Sequence, residues 1–107
     1  MKRIFVCKTG ELASGEARKV EVNPAVAVFN VDGVFYAVAD RCSHGNASMS
    51  EGYVEDDATV ECPLHAARFC LKTGAAQCLP ATEPLRTFPV AVAGDELYVE
   101  ISEEVAA

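Results

Sequence analysis

Hydrophobic positions along the chain come in short bursts rich in Val, Ile and Phe, separated by turn-forming residues. No stretch sustains the three-and-four spacing of an amphipathic helix, and bursts of this length fit half-buried or buried strands. The pattern predicts strands over 3–7, 18–22, 25–30, 34–39, 59–61, 67–71, 88–93 and 96–101. Asp32-Gly33 and Gly94-Asp95 each fall between two of these and predict tight hairpin turns, because Gly accepts the positive φ such turns demand. Lys72-Thr73-Gly74 predicts a third hairpin. Pro24, Pro63, Pro80, Pro84 and Pro89 are spread so that no long helix could run uninterrupted. The fold class is therefore all-β, in a single domain spanning 1–107. Residues 40–58 break the strand rhythm with Arg41, Cys42, Ser43, His44, Gly45, Asn46, Ser48, Ser50, Gly52 and an acidic run. Long loops in compact domains tend to carry function. A second loop-like region covers 79–86 and holds two prolines, and the tail after Ser102 is expected to be loose.

Composition narrows what such a domain can do. With 107 residues, half of them hydrophobic, the chain can build one real core. Acids outnumber bases by 16 to 9 for a net charge of −7. An acidic surface repels phosphate backbones and anionic lipids, which argues against nucleic-acid and membrane partners. No apolar run approaches the roughly 20 residues of a membrane span. The N-terminus has two bases but no long apolar region, so it is not expected to be a signal peptide, and the expected location is the cytoplasm. Five cysteines in such a chain favour metal binding or burial over a disulfide framework. Cys7 is expected in a strand packed in the core, and Cys70 and Cys78 are expected as reduced thiols across the 72–74 turn. Only two histidines are present, His44 and His65, which excludes any mechanism that needs a third imidazole.

Both histidines sit in matched pairs with cysteine: Cys42-Ser43-His44 and Cys62-Pro63-Leu64-His65, with residues 45–61 between them. Each motif offers one thiolate and one imidazole. Two buried thiols and two unrelated surface imidazoles would leave that pairing unexplained. Cys42, His44, Cys62 and His65 are therefore the candidate metal ligands. Such a set suits tetrahedral Zn²⁺, and it also suits a [2Fe–2S] cluster with Cys on one iron and His on the other. Zinc knuckles and ribbons usually space the ligands of a pair by two to four residues. Cys-x-His is unusual for them.

The ligand spacing, with Asp40-Arg41-Cys42-Ser43-His44-Gly45-Asn46, Glu61-Cys62-Pro63-Leu64-His65-Ala66-Ala67-Arg68-Phe69-Cys70 and Leu79-Pro80-Ala81-Thr82, resembles the Rieske-type ferredoxins of bacterial aromatic-ring-hydroxylating dioxygenases. Within that family it is most similar to the branch serving 3-phenylpropionate/cinnamate dioxygenases. The resemblance implies stacked antiparallel sheets with a small cluster-binding subdomain at one tip, about 40–82. It implies one [2Fe–2S] cluster per chain, with Cys42 and Cys62 on the inner iron and His44 and His65 on the outer. Pro80 would belong to a proline loop shielding the cluster, and Ser43, Gly45, Leu64 and Ala66 would form the docking rim. It further implies a soluble, monomeric one-electron carrier, not itself an enzyme. Its partners would be a flavin-dependent NAD(P)H ferredoxin reductase and the α/β subunits of a terminal oxygenase.

Mixed ligation affects potential. Two ferric ions, two sulfides and two thiolates cancel in formal charge, so an electron enters a neutral centre. Rieske centres accordingly lie at roughly −150 to +300 mV against about −400 mV for plant-type ferredoxins. Respiratory Rieske proteins add a disulfide at positions matching Ala47 and Leu64 here, and hydroxyl donors at positions matching Ala67 and Phe69. With those donors missing, the expected potential falls at the low end of the range. Ionisation of the ligand imidazoles would lower it further at alkaline pH. The acidic run Glu51, Glu55, Asp56, Asp57 and Glu61 is either a solvated loop or a surface that steers redox partners. A terminal oxygenase would need two more histidines and a carboxylate for mononuclear iron, and no histidine remains. A structural zinc module and the electron-transfer subunit of another oxidoreductase, such as nitrite reductase, stay open as alternatives.

Overall fold

The computed structural model describes residues 2–22, 25–41, 48–55, 57–63, 68–77 and 84–101. Its strands are β1 (Lys2–Lys8), β2 (Ala17–Val20), β3 (Val26–Val31), β4 (Val34–Ala39), β5 (Tyr53–Val54), β6 (Thr59–Glu61), β7 (Arg68–Cys70), β8 (Thr87–Phe88), β9 (Val90–Ala93) and β10 (Glu96–Ile101). All pairings between them are antiparallel. They form three sheets, ordered β1-β10-β9, β2-β3-β4-β8 and β5-β6-β7. Two short 3-10 turns, Thr9–Glu11 and Met49–Glu51, are the other regular elements among the described residues. Among the described residues no helix is long and apolar enough to cross a membrane.

Turn chemistry explains the hairpins. Asp32 (φ 54) and Gly33 (φ 88) both adopt left-handed backbone between β3 and β4, the requirement of a type I′ turn. The Asn30 side chain locks this turn: its Oδ1 accepts from Gly33 N–H at 2.8 Å, and its Nδ2 donates to the Leu12 carbonyl at 2.7 Å. That pairing satisfies an amide that is only 7% exposed. Gly94 (φ 63) opens the turn between β9 and β10. Gly74 (φ 80) ends the 72–74 turn, after which Phe69 pairs with Ala76 in a single bridge.

Strand β3 lies between two cores. All six of its residues are buried. Val26 and Val28 face one core with Cys7, Leu12, Val20, Ala37, Phe88, Leu97, Val99 and Ile101, which lies between the β1 and β2 sheets. Ala27, Phe29 and Val31 face the other with Val38, Met49, Val60, Cys62, Phe69, Leu71 and Leu85, which joins the larger sheet to the small β5-β6-β7 sheet. Side chains alternate across a strand, so a run that is buried at every position needs cover on both faces.

Several boundaries differ from the sequence pattern. The predicted 88–93 strand is two strands, because Pro89 offers no N–H to a ladder. At Pro89 the chain leaves β4, which pairs with β8, and joins β10, which pairs with β9. The second strand is Ala17–Val20 rather than 18–22, ending where Val22 N–H turns back to the Val20 carbonyl at 2.9 Å. The third runs Val26–Val31 rather than 25–30. The predicted 67–71 strand is Arg68–Cys70, and Leu71 belongs to the turn. The expected long loop over 40–58 contains the Met49–Glu51 turn and β5.

Candidate metal centre

Of the four predicted ligands, Cys62 is described, and Cys42, His44 and His65 lie outside the described residues. So do Ser43, Gly45, Ala47, Asp56, Leu64, Ala66, Ala67, Cys78 and the 79–82 segment with Pro80. The bases of the loops that carry them are joined by backbone pairs. The first loop is closed by an antiparallel bridge between Arg41 and Ser48. The second is closed by the β6–β7 pair Glu61↔Arg68. The 78–83 segment leaves from Gln77, whose N–H donates to the Arg68 carbonyl at 2.7 Å. It returns by way of Leu85, whose N–H donates to the Gly74 carbonyl at 2.7 Å.

These bases adjoin one another. A Cβ at Gly52 would collide with the Glu61 carbonyl oxygen, so the end of the Met49–Glu51 turn lies against the residue just before Cys62. A Cβ at Gly74 would collide with the Leu85 carbonyl oxygen in the same way. Ala39 N–H donates to the Arg86 carbonyl at 2.8 Å, which joins the return of the third segment to the start of the first loop. Glycine at 52 and 74 permits backbone approaches that any side chain would block.

Cys62 is 1% exposed and belongs to the core that holds Met49, Val60 and Phe69. An uncompensated negative charge in such surroundings costs several kcal/mol, so a thiolate there needs a cation bound to it. A sulfur donor buried at the mouth of a Cys/His loop fits a metal cluster held at its inner side. Phe69, fully buried beside it in the same core, brings an apolar ring and no hydroxyl.

The acidic run divides into two parts. Arg68 Nη2 sits 3.2 Å from Glu61 and 3.8 Å from Glu55, so one guanidinium offsets half of their combined charge. Glu51 and Asp57 are exposed, and Asp57 Oδ1 accepts from the Thr59 hydroxyl at 2.6 Å. Cys70 is a half-buried free thiol. A hydrogen bond from the Thr73 hydroxyl pulls its pKa below the ordinary thiol range, against the opposing effect of burial. Cys7 is buried, as the sequence suggests, and burial pushes its thiol up.

The sequence places Gly74 in a turn, Gly52 in the long loop and Asp40 at the head of the first motif, but assigns none of them a part in joining the loop bases. Asp40 is a buried carboxylate immediately before the first loop, and Ser48 and Ser50 are its partners on the far side. A carboxylate just ahead of a Cys/His pair, with two hydroxyls just beyond it, was the available signal.

Comparison with known proteins agrees with this geometry. Residues 2–89 match the model of the Rieske [2Fe-2S] domain. The chain is 61% identical over 103 residues to the 3-phenylpropionate/cinnamic acid dioxygenase ferredoxin subunit of Escherichia coli (strain K12), covering 96% of this chain and 97% of that protein. Among solved structures, a chain in the complex of reduced oxygenase and oxidized ferredoxin in carbazole 1,9a-dioxygenase superposes with a TM-score of 0.87 at 38% identity, covering 91% of each chain. The Sphingomonas yanoikuyae B1 ferredoxin does so with a TM-score of 0.86 at 32% identity, covering 94% of this chain and 100% of that one. The chain belongs to the Rieske [2Fe-2S] domain family, and that membership implies a [2Fe–2S] cluster.

Proposed function

We propose that this protein is the ferredoxin of an aromatic-ring dioxygenase of the 3-phenylpropionate/cinnamate type. It takes electrons singly from a flavin-dependent NAD(P)H reductase and delivers them to the terminal oxygenase. The observation that carries this reading is the joining of the loop bases to one another, with Cys62 buried at the second of them. In this reading one domain, 1–107, carries the function, and its 40–82 portion holds the cluster through Cys42, His44, Cys62 and His65. Support for a dioxygenase system, rather than a nitrite reductase, comes from the relatives at 61% identity, which are named as dioxygenase ferredoxin subunits.

When bound, the cluster supplies a one-electron couple and no bond-making chemistry. The chain's own residues supply the rest. Val60, Met49 and Phe69 share a buried apolar core with Cys62, and that core keeps water from the inner side. Backbone contacts at Gly52 and Gly74 fix the loop bases, so little structure has to rearrange when charge changes. The chain works as a cytoplasmic monomer that alternates between reductase and oxygenase.

Purified protein should be coloured, contain iron and acid-labile sulfide, and give a Rieske-type paramagnetic signal after dithionite. With NADH, a matching reductase and an oxygenase, it should support dihydroxylation of 3-phenylpropionate or cinnamate. Colourless protein containing zinc would overturn the reading in favour of a structural zinc module.

A further inference from the structure

Asp40 is a buried carboxylate, with its side chain only 5% exposed, placed two residues ahead of Cys42. Its Oδ2 accepts from the Ser48 hydroxyl at 2.7 Å, and its Oδ1 accepts from the Ser50 N–H at 3.0 Å. The two serine hydroxyls lie 2.8 Å apart. Its backbone takes part as well: the carbonyl accepts from Met49 N–H at 2.6 Å, and the N–H donates to the Ala25 carbonyl beside β3 at 3.0 Å. Lys19 Nζ on β2 stands 3.8 Å from Oδ2, the cation that makes burial tolerable. Beside the Arg41–Ser48 bridge, residues 48–50 thus fasten to Asp40 on the near side of the loop, and Asp40 fastens to the central sheet. The six residues between Arg41 and Ser48 include two of the four proposed ligands.

We infer that Asp40 is a positioning residue for the first ligand loop: its carboxylate ties Ser48 and Ser50 to the sheet and so sets the placement of Cys42 and His44. The inference rests on the proposed cluster reading and adds to it a residue that touches neither iron nor sulfide. An apolar side chain at 40 would fill space, yet it would leave the Ser50 N–H without its acceptor, remove the Ser48 hydroxyl's bond to the carboxylate, and loosen a loop end then held by backbone contacts alone. Partners of this kind behind a metal ligand typically govern metal affinity by about 10–100-fold.

The test uses the holoprotein. Wild type, Asp40→Ala, Asp40→Asn and Val99→Ala are compared by the reduced-state paramagnetic spectrum and by the rate of iron release to a ferrous chelator. Val99 lies in the core away from the loops and serves as the control for simple destabilisation. Asp40→Ala should shift or broaden the spectrum and release iron at least about tenfold faster. Asp40→Asn, which keeps an acceptor for the Ser50 N–H, should fall between Ala and wild type. Val99→Ala should keep the wild-type spectrum and release rate. If Asp40→Ala fails to fold, Ser48→Ala takes its place and should release iron severalfold faster. A wild-type spectrum and rate in Asp40→Ala, or in Ser48→Ala in its stead, would overturn the inference. So would an Asn variant as impaired as Ala, or a Val99→Ala variant as impaired as either. Those results leave the cluster reading standing, whereas wild-type protein without iron or signal removes both.

Discussion

Phe69 marks how one residue can set the behaviour of an electron carrier. Its ring is fully buried in the core that contains Cys62 and offers no hydrogen to a sulfur acceptor. Donors to cluster sulfur favour the reduced form, so an apolar ring there holds the potential down. Phe69→Tyr should raise the midpoint potential measured by film voltammetry. A buried hydroxyl with no acceptor would cost about 1–3 kcal/mol, so an unchanged potential together with lost stability would show that the hydroxyl does not reach the cluster. Cys7 gives a prediction of opposite character. Burial raises its pKa, so the folded state holds the thiol proton more tightly than the unfolded chain does. Its contribution is intact below the ordinary thiol value of about 8.5 and declines as pH climbs above it, because the unfolded chain releases the proton first. The denaturation midpoint should fall between pH 7 and pH 10, and the fall should be smaller in Cys7→Ala. Cys70, with its lowered pKa, works in the other direction in both proteins and so drops out of the comparison.

At the scale of elements, the sequence was most legible where local chemistry decides the outcome. Asp32-Gly33 forms its turn because two successive left-handed residues are cheapest as Asp and Gly, and the third and fourth strands follow from it within a residue. Pro89 is a ladder breaker, yet the pattern predicts one strand through it, because residues 88–93 are otherwise apolar throughout. The two-residue β5 leaves no mark in the pattern, because its partner β6 and the approach at Gly52 position it, and both are nonlocal. The candidate ligands were legible from Cys/His pairing alone, whereas the clamps at Asp40, Gly52 and Gly74 depend on contacts across the fold. The double burial of β3 likewise becomes clear only once both neighbouring sheets are placed, and it separates two functions. Phe29→Ala opens the core shared with Cys62 and should cost about 3–5 kcal/mol while also hastening cluster loss. Val99→Ala opens the other core and should cost about 2 kcal/mol with the cluster spectrum unchanged. Thermal melts paired with visible absorbance measure both effects, and cluster loss that simply follows stability in both variants would show that the two cores act as one.

For the whole molecule, charge is the remaining lever. A net charge of −7 on so small a chain sets up a field that favours a basic partner face and speeds encounter. The charges near the loop bases do not contribute equally. Glu55 and Glu61 share Arg68, so their combined field is about halved at close range, while Glu51 extends into solvent from the turn that packs against Glu61, the residue before Cys62. Electrostatic steering acts on the association rate and fades as salt shortens the screening length from about 10 Å at 0.1 M to about 3 Å at 1 M. Glu51→Lys should therefore slow electron delivery to the oxygenase severalfold at low salt, by stopped-flow reduction of the oxygenase, and Glu55→Gln should slow it less. The rates of wild type and Glu51→Lys should converge near 1 M salt. If they differ by the same factor at both ionic strengths, Glu51 makes a direct contact in the complex and the acidic surface does not steer.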